Sequence, residues 1–279
     1  MDEALPAPPA FLTSLYGLDS DSSYVDRATR ARLQGNKGQK RPHVTLTFAQ
    51  SLDAKIAGPG GRQVALSGKE SMIMTHWMRT MHDGILVGIG TALNDDPQLN
   101  TRHLPQLPAA TTSKYHAPHP IILDAHLRLS PTCKLLKNYQ AKKGLQPIVF
   151  CTEQHDKERL TTLLDAGAKV HITKRDESHR IVSIKDVLSI LYREGIKSLM
   201  VEGGAQVISS FLSLAKEGIV DTLVITVAPT LLGADAVGYG ADILGSQVPK
   251  MKHVATEVVG RDVVMALKFD TATDFDSVG

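Results

Sequence analysis

Ile85-Leu86-Val87-Gly88-Ile89-Gly90-Thr91-Ala92-Leu93-Asn94-Asp95-Asp96-Pro97 is the stretch on which the reading of this chain turns. Three consecutive branched aliphatics read as a buried strand, and the run ends in Gly-x-Gly-Thr, where a chain bends tightly. The glycines let another group approach the backbone, and Thr91 adds a hydroxyl. It is not a dinucleotide fingerprint, because Leu93 stands where GxGxxG needs its third glycine. Two readings stand: a strand-to-helix turn with only a packing role, or a bend on which a ligand rests.

A second bend has the same form. Leu199-Met200-Val201-Glu202-Gly203-Gly204-Ala205-Gln206-Val207 is again an apolar run ending in glycines, with a helix pattern beyond. The exposed amides of a helix start suit a phosphate or pyrophosphate, but no Lys-Ser/Thr follows, so this is not a P-loop. Glu202 is either an exposed residue beside a helix cap or a carboxylate aimed at a nitrogen-rich part of a ligand. A third signal is Thr47-Phe48-Ala49-Gln50-Ser51-Leu52-Asp53-Ala54-Lys55, a strand entering a polar turn. Lys55 either pairs with Asp53 or reaches a phosphate or sugar.

From Arg41 onward strand and helix patterns alternate. Strands are expected at 43–48, 84–87, 120–124, 147–151, 169–173, 198–201 and 222–227, and helices at 69–80, 156–166, 184–194 and 205–214. Such alternation predicts an α/β domain with a mostly parallel sheet flanked by helices. Val254–Val259 and Val263–Phe269, split by Gly260-Arg261-Asp262, read as a C-terminal antiparallel hairpin, which makes the sheet mixed. Residues 102–119, with Pro105, Pro108 and Pro118, read as a long surface loop. Residues 1–40 read as an N-terminal arm, with a short amphipathic stretch at 22–33 and a basic linker at 35–40, ahead of a domain spanning 41–279.

Composition narrows the function. The chain has 279 residues, 42% of them hydrophobic and 22% charged, with 31 Lys+Arg against 29 Asp+Glu. That length supports a sizeable core. The near-neutral balance and 5% aromatic content argue against a nucleic-acid surface. Cys133 and Cys151 are too few for a disulfide framework or a zinc ribbon. No apolar run approaches the length of a membrane span, and Met1–Ala10 lacks the cationic start of a secretory signal. The expected address is the cytosol. There is no Gly-x-Ser-x-Gly elbow and no His-Glu-x-x-His, and His116 and His119 lie in the proline-rich loop; no metal site is expected. Two glycine-bounded strand ends without a nucleophile or metal suggest a dinucleotide-using enzyme, in which the cofactor carries the hydride.

The motifs taken together resemble a known family. Ser51-Leu52-Asp53-Ala54-Lys55-Ile56-Ala57, Leu66-Ser67-Gly68-Lys69-Glu70, the run from Met78 through Thr91, and Asp95-Asp96-Pro97-Gln98-Leu99-Asn100-Thr101-Arg102 resemble the reductase domain of riboflavin biosynthesis. Ile121–Asp124, Val201–Ala205 and Ala228–Gly233 continue the likeness, which covers about residues 41–270. No deaminase motif His-x-Glu…Pro-Cys-x-x-Cys is present, so the chain is similar to the stand-alone form of fungi and archaea, with its arm and loop pointing to the fungal side. The resemblance implies a dihydrofolate-reductase-like fold, NADPH as cofactor, a homodimer, and reduction of the ribosyl group of 2,5-diamino-6-ribosylamino-4(3H)-pyrimidinone 5′-phosphate.

Position by position it implies cofactor contacts at Thr91, Asp95, Ile181, Gly203, Gly204, Ala205, Gln206 and Val207. It implies substrate contacts at Arg79, Leu99, Arg102 and Glu202, with Arg79 and Arg102 on the phosphate and Glu202 on the aminopyrimidine. Lys55 matches a basic residue near the substrate phosphate or ribose, and Lys55 and Asp53 are the catalytic candidates. Lys174 and Arg175 are candidates for a 2′-phosphate. The chain departs from the family pattern at Ala54, where glycine is usual, at Asn94, and at Gln63 and Ala65. Two alternatives stay open: an enzyme of the same fold acting on another heterocycle, and a non-catalytic dinucleotide-binding module.

Overall fold

A computed structural model describes residues 6–17, 40–108, 114–176, 181–239 and 250–269. The amphipathic stretch at 22–33 lies outside them. Nine strands form one sheet: β1 (His43–Gln50), β2 (Gly84–Gly88), β3 (His119–Leu123), β4 (Ile148–Thr152), β5 (Lys169–Thr173), β8 (Ser198–Gly203), β9 (Thr222–Val227), β10 (Met251–Val259) and β11 (Asp262–Phe269). Their order is β10-β11-β9-β1-β8-β2-β3-β4-β5. The seven strands from β9 to β5 run parallel, and the β10–β11 hairpin joins β9 antiparallel. A small ribbon, β6 (Arg175–Asp176) with β7 (Ile181–Val182), stands apart. The sheet is mixed and mostly parallel, with the expected C-terminal hairpin.

Strand alternation separates two apolar layers. Ile85 and Val87 of β2, Ile122 of β3 and Val149 of β4 face one layer, while Leu86, Ile121, Leu123 and Phe150 face the other, as the two-residue period of a pleated strand demands. The first layer is covered by α1 (Ala10–Leu15), α2 (Lys69–Thr80), α4 (Lys134–Gln140) and α5 (Lys157–Asp165). The second is covered by α6 (Ile184–Arg193) and α7 (Ala205–Ser213). α3 (Ile89–Asp95) follows β2 directly.

The strand order contains one reversal that matters for the site. The chain lays down β2 to β5 outward in sequence, then returns to insert β8 between β1 and β2. Such a switch point leaves a crevice beyond the carboxyl ends of the strands. The ends of β2 and β8, where both glycine bends lie, are therefore neighbours.

Two features differ from the sequence expectation. α1, inside the segment read as an arm, packs Phe11 and Leu12 into the first layer, with Leu12 fully buried. At six residues it is too short for its period to be legible. The proline-rich loop is also no simple excursion: Leu104, Leu107 and Tyr115 lie on the core, and Tyr115 meets Trp77 edge-on at 5.5 Å.

Between α1, α2 and β1 runs a buried polar chain. The Tyr16 hydroxyl lies 3.5 Å from Thr45 Oγ1, which lies 2.9 Å from His82 Nε2, and His82 Nδ1 lies 2.8 Å from the Met78 carbonyl. A carbonyl only accepts, so Nδ1 carries the proton; with burial holding the ring neutral, Nε2 accepts from Thr45. Burial pushes the His82 pKa down to about 4 from 6.5. Above pH 6.5 this ring is neutral folded or unfolded; as pH is lowered from 6.5 to about 4 only the unfolded chain takes the proton, so stability is lost as the solution is acidified. The loss across that window should reach about 3 kcal/mol. Urea unfolding at a series of pH values should show it, with a shallower slope for His82→Asn; equal slopes would refute the assignment.

Candidate active site

A cleft of about 550 Å³ opens at the carboxyl ends of β1, β2, β3 and β8. Gly88, Gly90, Thr91 and Asp95 form one wall, and Glu202 and Gly204–Ile208 form another. The two bends thus share one cavity. α3 and α7 both begin here, with Gly88 and Gly204 as their N-caps. The first amides of a helix have no intrahelical acceptor and carry partial positive charge, so both ends suit an anionic group.

Glycine is required at both bends. A Cβ on Gly88 would sit 2.7 Å from Val207 Cγ2, closer than carbon atoms pack. Gly204 has φ +91°, a conformation side chains rarely adopt, and a Cβ there would lie 3.0 Å from Thr91 Oγ1. The Thr91 hydroxyl and the start of α7 are therefore in close apposition.

Glu202 reaches the cleft through a break in register. Leu86 pairs with Val201 and Val87 with Gly203, which leaves Glu202 as the extra residue of a bulge. Bulges re-aim side chains, and here the carboxylate meets Arg79 of α2. Arg79 Nε donates to Glu202 Oε1 and Nη2 to Oε2, both at 2.6 Å, in a fork-to-carboxylate pair. Arg79 Nη1 also donates to the Asn100 carbonyl at 3.0 Å. Burial works against the Arg79 charge, but the attraction and hydrogen bonds of Glu202 outweigh it and raise its pKa. The Arg79 fork is engaged within the protein, and neither Arg79 nor Arg102 is among the residues that line the cleft, although Arg102 lies within electrostatic reach of Glu202, which does. Arg102 is exposed, and burial together with the nearby Arg79 charge lowers its pKa, with Glu202 partly offsetting them.

The other expected site residues fall in different places. Asp95 lines the cleft, and partial burial raises its pKa. Leu99 is buried in the first apolar layer with φ +44°, so only its backbone is available to a ligand. Asp53 accepts from Ser51 Oγ at 2.5 Å and from the amides of Leu232 and Gly233 at 3.1 and 2.8 Å. The Ser51 hydroxyl and those two amides hold the half-buried carboxyl down at about 2. It ties the turn at 51–55 to the loop at 230–233 and is not part of the cleft wall. Lys55 closes the same turn through its backbone, its amide donating to Ser51 Oγ at 3.0 Å. Ile181 belongs to β7, but its side chain lies outside the described residues; its neighbour Val182 lines the cleft. Arg175 donates to Gln154 Oε1 at 2.8 Å and, like Lys174, does not line it.

Other cleft residues come from irregular segments, the first of which entered the sequence reading only through the family resemblance. Gln63–Ser67 cross the opening, and Ala125, His126 and Arg128 border it beyond β3. The first segment is held from far away. Arg261 Nη2 donates to the Leu66 carbonyl at 2.9 Å, and Asp262 accepts from the Gly68 amide at 2.7 Å and from Ser71 Oγ. Gly68, the N-cap of α2, has no side chain with which to cap it, so a carboxylate from the hairpin tip does so. The loop beyond β3 is shaped by buried Asp124, whose Oδ2 accepts from the Leu129 amide at 2.8 Å. Among the described residues no cluster of His, Cys, Asp and Glu could hold a metal ion, and no helix is long and apolar enough to cross a membrane.

The model of the RibD C-terminal domain matches residues 42–265. The chain belongs to the RibD C-terminal domain family. Among family relatives, the 2,5-diamino-6-ribosylamino-4(3H)-pyrimidinone 5′-phosphate reductase of Debaryomyces hansenii is 40% identical over 201 residues, which span 71% of this chain and 78% of that protein. The reductase of the same name from Saccharomyces cerevisiae is 34% identical over 229 residues, 81% of this chain and 86% of the relative. The solved structure of the S. cerevisiae riboflavin biosynthesis reductase Rib7 matches with a TM-score of 0.65 at 30% identity, covering 85% of this chain and 95% of that one.

Ala54 stands where the family pattern usually has glycine, and its φ of +56° explains that preference. An alanine held left-handed is strained by roughly 1–2 kcal/mol. Ala54→Gly should stabilise the protein by about 1 kcal/mol, somewhat offset by the greater freedom of glycine in the unfolded chain. Chemical denaturation checks this; a destabilised variant would show that the turn is unstrained.

Proposed function

We propose that this chain is the reductase of riboflavin biosynthesis that uses NADPH to convert the ribosylamino group of 2,5-diamino-6-ribosylamino-4(3H)-pyrimidinone 5′-phosphate to ribitylamino. The observation that carries the reading is the single cleft that joins two helix starts to the Glu202–Arg79 pair. Relatives bearing this reductase name, matched along most of their length, support the substrate.

The residues present fit a dinucleotide. Gly204, with no Cβ and an extended positive φ, leaves room for a diphosphate against the start of α7, beside the Thr91 hydroxyl. When bound, NADPH supplies the hydride. The substrate, with its sugar ring opened, presents a C1′=N bond; hydride adds to C1′ and the nitrogen takes a proton, for which solvent suffices. The protein's part is orientation and electrostatics. Leu66, Met72, Val182 and Val207 give the cleft apolar walls, which limit water around the reacting carbon. Glu202 gives one lone pair on each oxygen to Arg79 and keeps others for the amino groups of the pyrimidine. Its negative charge also favours the cationic character that develops at the C1′=N group. Arg102 anchors the 5′-phosphate. Lys55 is an auxiliary cation, and Asp53 acts by shaping the turn that carries it.

The working form is a homodimer in the cytoplasm. Two free, buried thiols, Cys133 and Cys151, suit a reducing compartment.

The direct test is NADPH oxidation with the ribosylaminopyrimidine phosphate, with mass spectrometry of the product for one added hydrogen pair. Oxidation with a different heterocycle but not with this one would reassign the substrate. Glu202→Gln keeps the shape and removes the charge; kcat/KM should fall about 100-fold, roughly 3 kcal/mol, with little change in NADPH affinity. Wild-type turnover would remove Glu202 from the substrate site. Gly204→Val should weaken NADPH binding by about 30-fold or more, because a branched side chain would fill the anion cradle and strain the bend. An unchanged fluorescence titration would overturn that role.

A further inference from the structure

α2 presents two side chains, three residues apart and so on one face, to the segment that follows α3. Arg79 Nη1 donates to the Asn100 carbonyl at 3.0 Å. One turn earlier, His76 Nδ1 accepts from the Arg102 amide at 3.1 Å. The two contacts have opposite polarity and bracket a single residue, Thr101. His76 is 3% exposed and its ring meets that of His103 edge-on at 5.0 Å.

The bracketed segment is one that would not hold its shape unaided. Leu99 has φ +44° and His103 φ +61°, left-handed conformations that non-glycine residues rarely keep. Such residues persist where the surroundings over-determine them, and they gather at ligand sites. Here the over-determination comes from the burial of Leu99 and from the two contacts made by α2.

Accepting from an amide requires Nδ1 to be bare, so the ring is neutral with its proton on Nε2. Burial, followed by the nearby Arg79, His103 and Arg102, pushes the His76 pKa down to about 3. The groups that face it are Arg79, Arg102 and His103, with Glu202 beyond Arg79, and a hydrogen bond to the Asn100 backbone works the other way without reversing the direction. His76 therefore remains an acceptor throughout the neutral range. A protonated ring would turn a donor toward the Arg102 amide and release the segment.

We propose that His76 is a positioning residue of the reductase: by accepting from the Arg102 amide it fixes that backbone and so aims the guanidinium at the substrate phosphate. This rests on the reading of Arg102 as the phosphate anchor. Nothing in the sequence alone distinguishes His76 from an ordinary core histidine.

The experiment compares His76→Leu, which has no acceptor, with His76→Asn, which returns an oxygen near the place of Nδ1, and with Arg102→Ala. His76→Ala replaces the leucine variant if that one does not fold. The probes are the KM and kcat for the ribosylaminopyrimidine phosphate, inhibition by ribose 5-phosphate, and NADPH affinity by fluorescence. His76→Leu should raise KM and the ribose 5-phosphate inhibition constant about tenfold, the worth of one good hydrogen bond, with kcat and NADPH affinity little changed. His76→Asn should recover most of the loss. In the Arg102→Ala background the His76→Leu effect should vanish. Loss of NADPH affinity in step with substrate affinity, or no rescue by asparagine, would make His76 a packing residue and overturn the proposal. If Arg102→Ala weakens ribose 5-phosphate but His76→Leu does not, the positioning claim fails alone. If Arg102→Ala changes nothing, the anchor reading fails and takes the claim with it.

Discussion

The separation between the end of β2 and the start of α7 is the constraint on which the site depends. Val207 occupies the space a side chain on Gly88 would need, and the positive φ of Gly204 turns the chain from β8 into the helix beside Thr91. A methyl group at either position would push the two bends apart or strain the turn. With both glycines present, two helix starts converge on one cleft and their partial charges add. That convergence is what makes a cavity at a strand switch point into a cradle for an anion.

Electrostatics then sets the character of the cleft. The amides at the starts of α3 and α7 favour an anion, and the bulge at Glu202 puts a carboxylate beside them, in the same wall as the start of α7. A lone buried carboxylate would be costly, and Arg79 neutralises it through two short hydrogen bonds. The pair fixes geometry more than it adds stability, because each ion gives up water to form it. Arg79 also grips Asn100, so the same side chain connects the carboxylate to the segment carrying Arg102. α2 is thus the hub of the substrate side. Its own start is held by Asp262, from the hairpin at the far end of the sequence. A change at the β10–β11 turn can therefore reach the cleft without touching it.

Where the chain advertised its structure, it did so through local rules. The strands of the central sheet are runs of Val, Ile and Leu bounded by Gly, Pro or Asp, and β1, β2, β5 and β9 lie within two residues of their expected limits. α6 begins behind a Ser183 cap, which the sequence reading did not name, whose Oγ accepts from the Asp186 amide at 3.3 Å. The two glycine bends were legible because a φ few residues tolerate leaves its mark on residue choice. α1 was missed because six residues carry less than two turns of periodicity, and its burial depends on an apolar surface built by distant segments. Gln63–Ser67 stood out only through the family resemblance, because the segment is irregular and held by Arg261 and Asp262. Asp53 and Lys55 show a further limit: the sequence marks their polar turn but not the distant partners of its carboxylate, the amides of residues 232 and 233.

The sequence by itself determined the layered α/β class, the C-terminal hairpin, the two bends and the family, since each rests on residue types acting over a few neighbouring positions. Only the tertiary structure decided which charges meet. Arg79 and Glu202 are 123 positions apart, and His76 reaches the amide of Arg102 across 26. Pairings of that kind depend on strand order and on a one-residue bulge. No local pattern encodes either, because the energy that selects them is released only when the sheet is assembled.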